Sequence, residues 1–322
     1  MNAPLGRPAV DMSVRIGGLT LKNPVMPASG TFSEELAEVF DLGTLGAHVL
    51  KTITRDPRTG NPTPRVTEVE GGMLNAIGIP SKGVEAFLAK VVPFYSRYDV
   101  PLVVSISAPT SADFATLAAR VSVPGVAAIE ANISCPNIEE DGRAFAIRPG
   151  STREVMARLR DATDLPLWAK LTPNTGETPE VARAVEEAGG DALVVANTIL
   201  AMAVDTRTRR PRLGNLMGGL SGPALKPITL RMAYQCARAT SLPVIGCGGI
   251  ATVDDALEYL IAGASAVQVG TETFIDPLAM PRIIEGLRAR AEAEGVAAIR
   301  DYVGTLADAA EPEGVVFMQA AP

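Results

Sequence analysis

Short apolar runs alternate with amphipathic stretches along most of this 322-residue chain. Runs at 24–28, 47–50, 102–106, 126–133, 167–171, 192–196, 244–246 and 266–269 are nearly continuous in apolar residues. Such runs predict strands of a parallel sheet whose outer face is covered. Between them, apolar residues recur at helical spacing near 34–41, 83–96, 112–121, 152–163, 178–188, 225–239, 253–262 and 278–294, which predicts amphipathic helices. Ahead of the first run, Val14-Arg15-Ile16 and Leu19-Thr20-Leu21 alternate about Gly17-Gly18, predicting a hairpin. Eight strands alternating with eight helices predict an α/β fold, a closed (β/α)8 TIM barrel with that hairpin at its start. A doubly wound open sheet is the alternative. No linker or repeat divides the sequence, so a single domain over 1–322 is expected. Two long stretches, 55–82 and 200–222, break the rhythm with Pro, Gly and basic residues. Both follow strands, and in a barrel they rise on the face that carries active sites, as a lid or a substrate wall.

Composition sharpens this picture. Hydrophobic residues make up 47% but aromatic ones only 4%, so the core must rest on aliphatic side chains. A net charge of −7 argues against a nucleic-acid or anionic-membrane surface. No uninterrupted apolar run reaches the roughly 18 residues of a membrane span, and no signal peptide is evident, so a cytoplasmic protein is expected. Cys135, Cys236 and Cys247 are scattered, the pattern of a reducing compartment with neither disulfides nor a metal site.

Polar residues cluster where the strands end: Ser29-Gly30-Thr31, Lys51-Thr52, Asn132 to Asn137, Lys170, Asn197-Thr198, Gly248-Gly249 and Gly270-Thr271. In a barrel these ends converge on one mouth. Glycines after the seventh and eighth strands, Gly248, Gly249 and Gly270, let backbone N–H groups approach an anion, as a phosphate cradle does. No GxGxxG opens a helix, so this is not a dinucleotide site.

The segments NPVMPASGT, GNPTPRV, GGMLNAIG, NISCPN, AKLTPN, ANT, GGLSGPALKP, GCGGI and AGASAVQVGT run in order over about three-quarters of the chain. Through them the sequence resembles the class 1 dihydroorotate dehydrogenases, the 1B catalytic subunit in particular. The resemblance implies a (β/α)8 barrel that binds FMN and oxidises dihydroorotate to orotate in pyrimidine synthesis. It implies Cys135 as the catalytic base, and the polar loop Ser134-Cys135-Pro136 sets this thiol apart from the buried small hydrophobes expected at 236 and 247. It implies substrate contacts from Lys51, Asn75, Ala76, Ile77, Gly78, Ile79, Asn132, Asn137, Asn197 and Thr198. Asparagine amides offer the donor and acceptor pairs that a pyrimidine edge requires. FMN contacts are implied for Ser29, Lys51, Thr52, Ser105, Asn132, Lys170, Ala196, Gly222, Gly248, Gly249, Gly270 and Thr271. Lys170 matches the lysine beside flavin N1 and O2, where negative charge develops on reduction.

Three departures from the family pattern stand out. Ser105 replaces a usual asparagine, Ile79-Pro80-Ser81-Lys82 replaces a common Leu-Gln-Asn-Pro, and the loop 139–141 is acidic. The lone histidine, His48, and the lone tryptophan, Trp168, lie inside strands and read as core residues. Three scattered cysteines cannot hold an iron–sulfur cluster. The 1B resemblance accordingly implies a separate subunit with FAD and a 2Fe-2S cluster that passes electrons to NAD+, joined to a homodimer of this chain in a heterotetramer. A fumarate-linked 1A-like enzyme and a flavin reductase acting on another pyrimidine are the alternatives.

Overall fold

The structure is a computed structural model that describes residues 9–135 and 144–307. It opens with the expected hairpin, β1 (Val14–Ile16) and β2 (Leu19–Leu21), turned by Gly17 and Gly18 at φ 50° and 84°. In chain order there follow β3 (Val25–Pro27), β4 (His48–Val49), β5 (Val66–Val69), β6 (Gly72–Asn75), β7 (Leu102–Ile106) and β8 (Ala128–Ala131). Then come β9 (Leu167–Lys170), β10 (Ala192–Val195), β11 (Ile199–Ala201), β12 (Val204–Asp205), β13 (Arg210–Pro211), β14 (Gly218–Ser221), β15 (Val244–Cys247) and β16 (Ala264–Val269).

Eight of these form one parallel sheet in the order β3-β16-β15-β10-β9-β8-β7-β4. They are the eight runs read from the sequence. The sheet curls nearly closed, and its two outer strands meet where Gly46 N–H donates to Val25 O at 2.9 Å. A side chain at Gly46 would sit 2.1 Å from Asn23 O, so only glycine permits that approach. The strands are buried almost throughout, with Val, Leu, Ile and Ala filling the core and Trp168 fully enclosed.

The helices are α1 (Val84–Ala86), α2 (Val92–Tyr95), α3 (Ser111–Val121), α4 (Pro149–Ala162), α5 (Thr178–Glu187), α6 (Lys226–Ala239), α7 (Val253–Ile261), α8 (Glu272–Ile275) and α9 (Ala279–Glu294). Two expected helices need correction. The segment 34–41 folds as a 3-10 turn, Glu34–Glu38, none of whose residues is buried; Leu36 and Phe40 pack only partly on the core, too little to extend it. The segment 83–96 breaks into α1, a π turn at Phe87–Val91, and α2. Pro93 has no N–H to give the preceding turn, and the ladder widens just before it.

The two long insertions are not bare loops. They pair with each other in a four-stranded antiparallel sheet, β11-β14-β6-β5, standing on the carboxyl ends of the barrel strands. Their glycines, read from sequence as chain breakers, are what lets them pair. A side chain at Gly72 would meet Ser221 O at 2.1 Å, and one at Gly219 would meet Thr198 Oγ1 at 1.9 Å. A small apolar cluster of Leu74, Ala76 and Leu213 backs this sheet. Among the described residues, no helix is long and apolar enough to cross a membrane.

Candidate active site

The barrel mouth and the four-stranded sheet enclose a cavity of about 1350 Å³. Every residue assigned above to substrate or cofactor lines it, with two exceptions. Asn137 lies outside the described residues, as does the acidic loop 139–141. Ser105 is the other. It is fully buried behind the wall, its hydroxyl 2.9 Å from Thr52 Oγ1, because its short side chain stops at that neighbour.

Lys170 ends β9 on the cavity floor and is almost wholly buried. Its ammonium donates to Ser29 Oγ at 2.9 Å and to Gln268 Oε1 at 3.3 Å. Glu130 Oε1 is 3.8 Å away, inside the barrel. Burial works against the lysine charge, but Glu130, Cys247 and Cys135 outweigh it and raise its pKa above the ordinary value.

A chain of polar side chains crosses the wall from β4 to β10. Thr52 Oγ1 accepts from Asn132 Nδ2 at 3.4 Å, and Asn132 Oδ1 accepts from Ser134 Oγ at 2.6 Å. Asn197 Nδ2 donates to Ser134 Oγ at 2.7 Å, while its Oδ1 accepts from Thr198 N at 2.8 Å. The two amides are thereby oriented before any ligand arrives. Cys135 follows directly, partly exposed to the cavity. Burial pushes its thiol pKa up, against a hydrogen bond from Asn132 and the charges of Lys170 and Arg58.

Next to Thr52, Lys51 has its pKa lowered by burial and has no ion-pair partner among the described residues. Asn75 ends β6 and donates from Nδ2 to Gly219 O at 3.1 Å, so the second sheet carries it over the mouth. Ile79 takes a positive φ of 49° in the turn that follows. The nearby departure Ser81 pins this stretch, its Oγ accepting from Thr54 N at 3.2 Å and Gly83 N at 3.0 Å.

The glycine loop after β15 is held from beneath. Tyr259 OH donates to Gly248 O at 2.8 Å and lies 2.6 Å from Thr229 Oγ1. Asp255 accepts from Ala251 N at 3.0 Å and Thr252 N at 2.8 Å. Between those anchors, the N–H groups of Gly249 and Ile250 have no backbone partner among the described residues. Both residues line the cavity, as does Thr271, whose hydroxyl donates to Ser221 Oγ at 2.8 Å.

Sequence reasoning passed over several of these groups. Glu130 and Gln268 were detectable as polar residues inside apolar strands. Asn174, which ties β11 to the barrel by accepting from Leu200 N at 2.7 Å, stands in the AKLTPN segment but was given no role there. The aromatic wrapping of His48 by Phe32, Tyr95 and Tyr98 agrees with a core role, its Nε2 donating to Leu42 O at 2.9 Å.

A sequence model of the family described as "Dihydroorotate dehydrogenase" matches residues 11–290. The chain belongs to that family. Among dihydroorotate dehydrogenases it is 48% identical to a protein of Pelobacter propionicus over 92% of this chain and 98% of that one. It is 49% identical to one of Trichlorobacter lovleyi, again over 92% and 98%. It is 44% identical to one of Listeria monocytogenes over 90% and 96%. All three relatives are named "Dihydroorotate dehydrogenase B (NAD(+)), catalytic subunit". The fold also matches a solved structure of DHODH from Eimeria tenella in complex with ferulenol, with a TM-score of 0.75 and 24% identity over 95% of this chain and 91% of that one.

Dihydroorotate dehydrogenases are FMN-dependent oxidoreductases, and the donor set of this cavity fits that group. Two backbone N–H groups in a glycine turn, without a backbone partner among the described residues, suit a phosphate. A buried, well-anchored cation suits a ring system that gains negative charge.

Proposed function

We propose that this chain oxidises dihydroorotate to orotate, as the FMN-binding catalytic subunit of a B-type, NAD+-linked enzyme. One observation carries the reading. A cysteine, three oriented asparagines and two lysines, one of them buried, drawn from five separate stretches of sequence, face one cavity roofed by the chain's own insertions. Taking two hydrogens from the C5–C6 bond requires a base at C5 and a hydride acceptor at C6. FMN, when bound, supplies the acceptor. Cys135 takes the C5 proton, and Lys170 and Arg58 oppose the effect of burial on its thiol. Asn75, Asn132 and Asn197, joined by Asn137, meet the alternating carbonyl and N–H edges of the pyrimidine. Lys51, free of any acidic partner among the described residues, meets the substrate carboxylate. Lys170 sits where charge develops on the cofactor.

The names of the relatives support the NAD+ link and a separate subunit. On this reading the partner carries FAD and a 2Fe-2S cluster, this chain pairs as a homodimer, and the whole is a cytoplasmic heterotetramer. Exposed apolar side chains beside the mouth, among them Leu200, Leu216, Phe274 and Ile275, are the kind of surface that a protein partner covers. The test is direct. Purified protein is expected to be yellow and to bleach anaerobically on addition of dihydroorotate. A chain that holds FMN but does not bleach with this substrate refutes the assignment.

A further inference from the structure

Glu130 has no part in the chemistry above, yet it is a fully buried carboxylate at the centre of the barrel. Its Oε2 accepts from Gln268 Nε2 at 2.7 Å. Its Oε1 has no hydrogen-bond partner among the described residues and lies 3.8 Å from Lys170 Nζ. Gln268, also fully buried, turns its Oε1 to that same ammonium at 3.3 Å. Because Glu130 takes the Gln268 N–H, the amide can offer Lys170 only its oxygen. Two of the lysine's three donors are then committed, one to Gln268 and one to Ser29, and the third has no hydrogen-bond partner within normal distance among the described residues.

We propose that Glu130, acting through Gln268, is the positioning residue that keeps Lys170 a cation and aims its free N–H into the cavity. The inference rests on the reading that Lys170 faces the bound flavin. An ammonium this deeply buried is unfavourable without a counter-charge. Glu130 is the carboxylate that faces it, and the other titratable groups turned toward it are the thiols of Cys135 and Cys247. The same carboxylate offsets part of the lysine's field, so the flavin meets a directed but partly neutralised cation.

The experiment measures the flavin midpoint potential of the holoenzyme against pH, for the wild type and for Glu130→Gln, Glu130→Asp and the double variant Glu130→Gln/Lys170→Gln. The wild type should follow a single course up to about pH 10, with Lys170 charged in both redox states. Glu130→Gln should steepen the plot by one proton within that range, because Lys170 now loses its proton in the oxidised form and regains it on reduction. The double variant should lose the extra steepness, and Glu130→Asp, which keeps the charge, should restore the wild-type course. A Glu130→Gln plot that overlays the wild type overturns the proposal. Should that variant fail to fold, 15N NMR of the wild-type apoprotein decides instead: an ammonium signal for Lys170 up to about pH 10 supports the proposal, and a neutral amine near pH 7 overturns it. Lys170→Gln alone should also move the potential. If it does not, Lys170 does not face the flavin, and the underlying reading fails separately from the role of Glu130.

Discussion

At the residue scale, the behaviour of Cys135 follows from competing influences on one thiol. Burial raises its pKa, while Asn132, Lys170 and Arg58 pull it down without cancelling the effect. A base that is mostly protonated at neutral pH becomes more effective as the pH rises, so flavin reduction by dihydroorotate should accelerate into the alkaline range. Cys135→Ala should slow that step by about 10²–10⁴-fold or more while FMN and orotate still bind. Cys135→Ser should be slower than wild type near neutrality and gain more from alkali, since a hydroxyl is the weaker acid. Stopped-flow reduction across pH checks both, and near-normal reduction by the alanine variant would move the base elsewhere. Cys135 was legible in sequence because a polar loop surrounds it. Glu130 and Gln268 were harder to read, since a polar side chain within a strand points either into the barrel or out to a helix, and the sequence does not say which. Ser105 shows the converse: a position matched by resemblance to a cofactor contact lies buried behind the wall, its hydroxyl beside Thr52.

Among the elements, the phosphate-type loop after β15 owes its shape to the two helices beside it. Thr229 on α6 and Tyr259 on α7 meet beneath Gly248, and Lys226 of α6 bonds Asp255 of α7 at 2.6 Å. Gly249, at φ 66°, has Lys226 Cβ 2.6 Å from where its own side chain would lie. Gly249→Asp would therefore strain the backbone, crowd α6 and set a carboxylate against the phosphate, and colourless protein is expected. Tyr259→Phe removes only the hydroxyl that holds Gly248 O, so it should fold and release FMN more readily, by about tenfold for a hydrogen bond of typical strength. Fluorescence titration of the apoprotein with FMN checks this, and unchanged affinity in both variants would place the phosphate elsewhere. All eight barrel strands were legible because continuous apolar runs have few other uses. The second sheet was not, because Gly72, Gly218 and Gly219 look like turn formers until the partner strand that needs their bareness is known. The π turn before Pro93 was missed because helical periodicity continues across it.

Taken whole, the molecule has three cysteines, Cys135 and the buried Cys247 at the cavity and Cys236 in the core, too few for an iron–sulfur cluster. On the proposed reading it therefore depends on a partner for reoxidation. The isolated chain with dihydroorotate should fail to reduce NAD+ and should do so once the electron-transfer subunit is added. Robust turnover with fumarate by the isolated chain would instead make it a self-sufficient enzyme, with the chemistry at Cys135 unchanged. The sheet order has a different consequence, for the birth of the protein on the ribosome. β3 pairs with β16, Val25 opposite Val267, yet among the described residues the one backbone hydrogen bond toward its neighbour in sequence, β4, is the Gly46–Val25 link described at the seam. The first barrel strand made must wait for the last before its other edge is matched. The glycine loop is likewise finished only when α7 closes beneath it. A nascent chain shorter than that last strand carries an open edge, the state in which parallel β proteins are most exposed to aggregation and to chaperones.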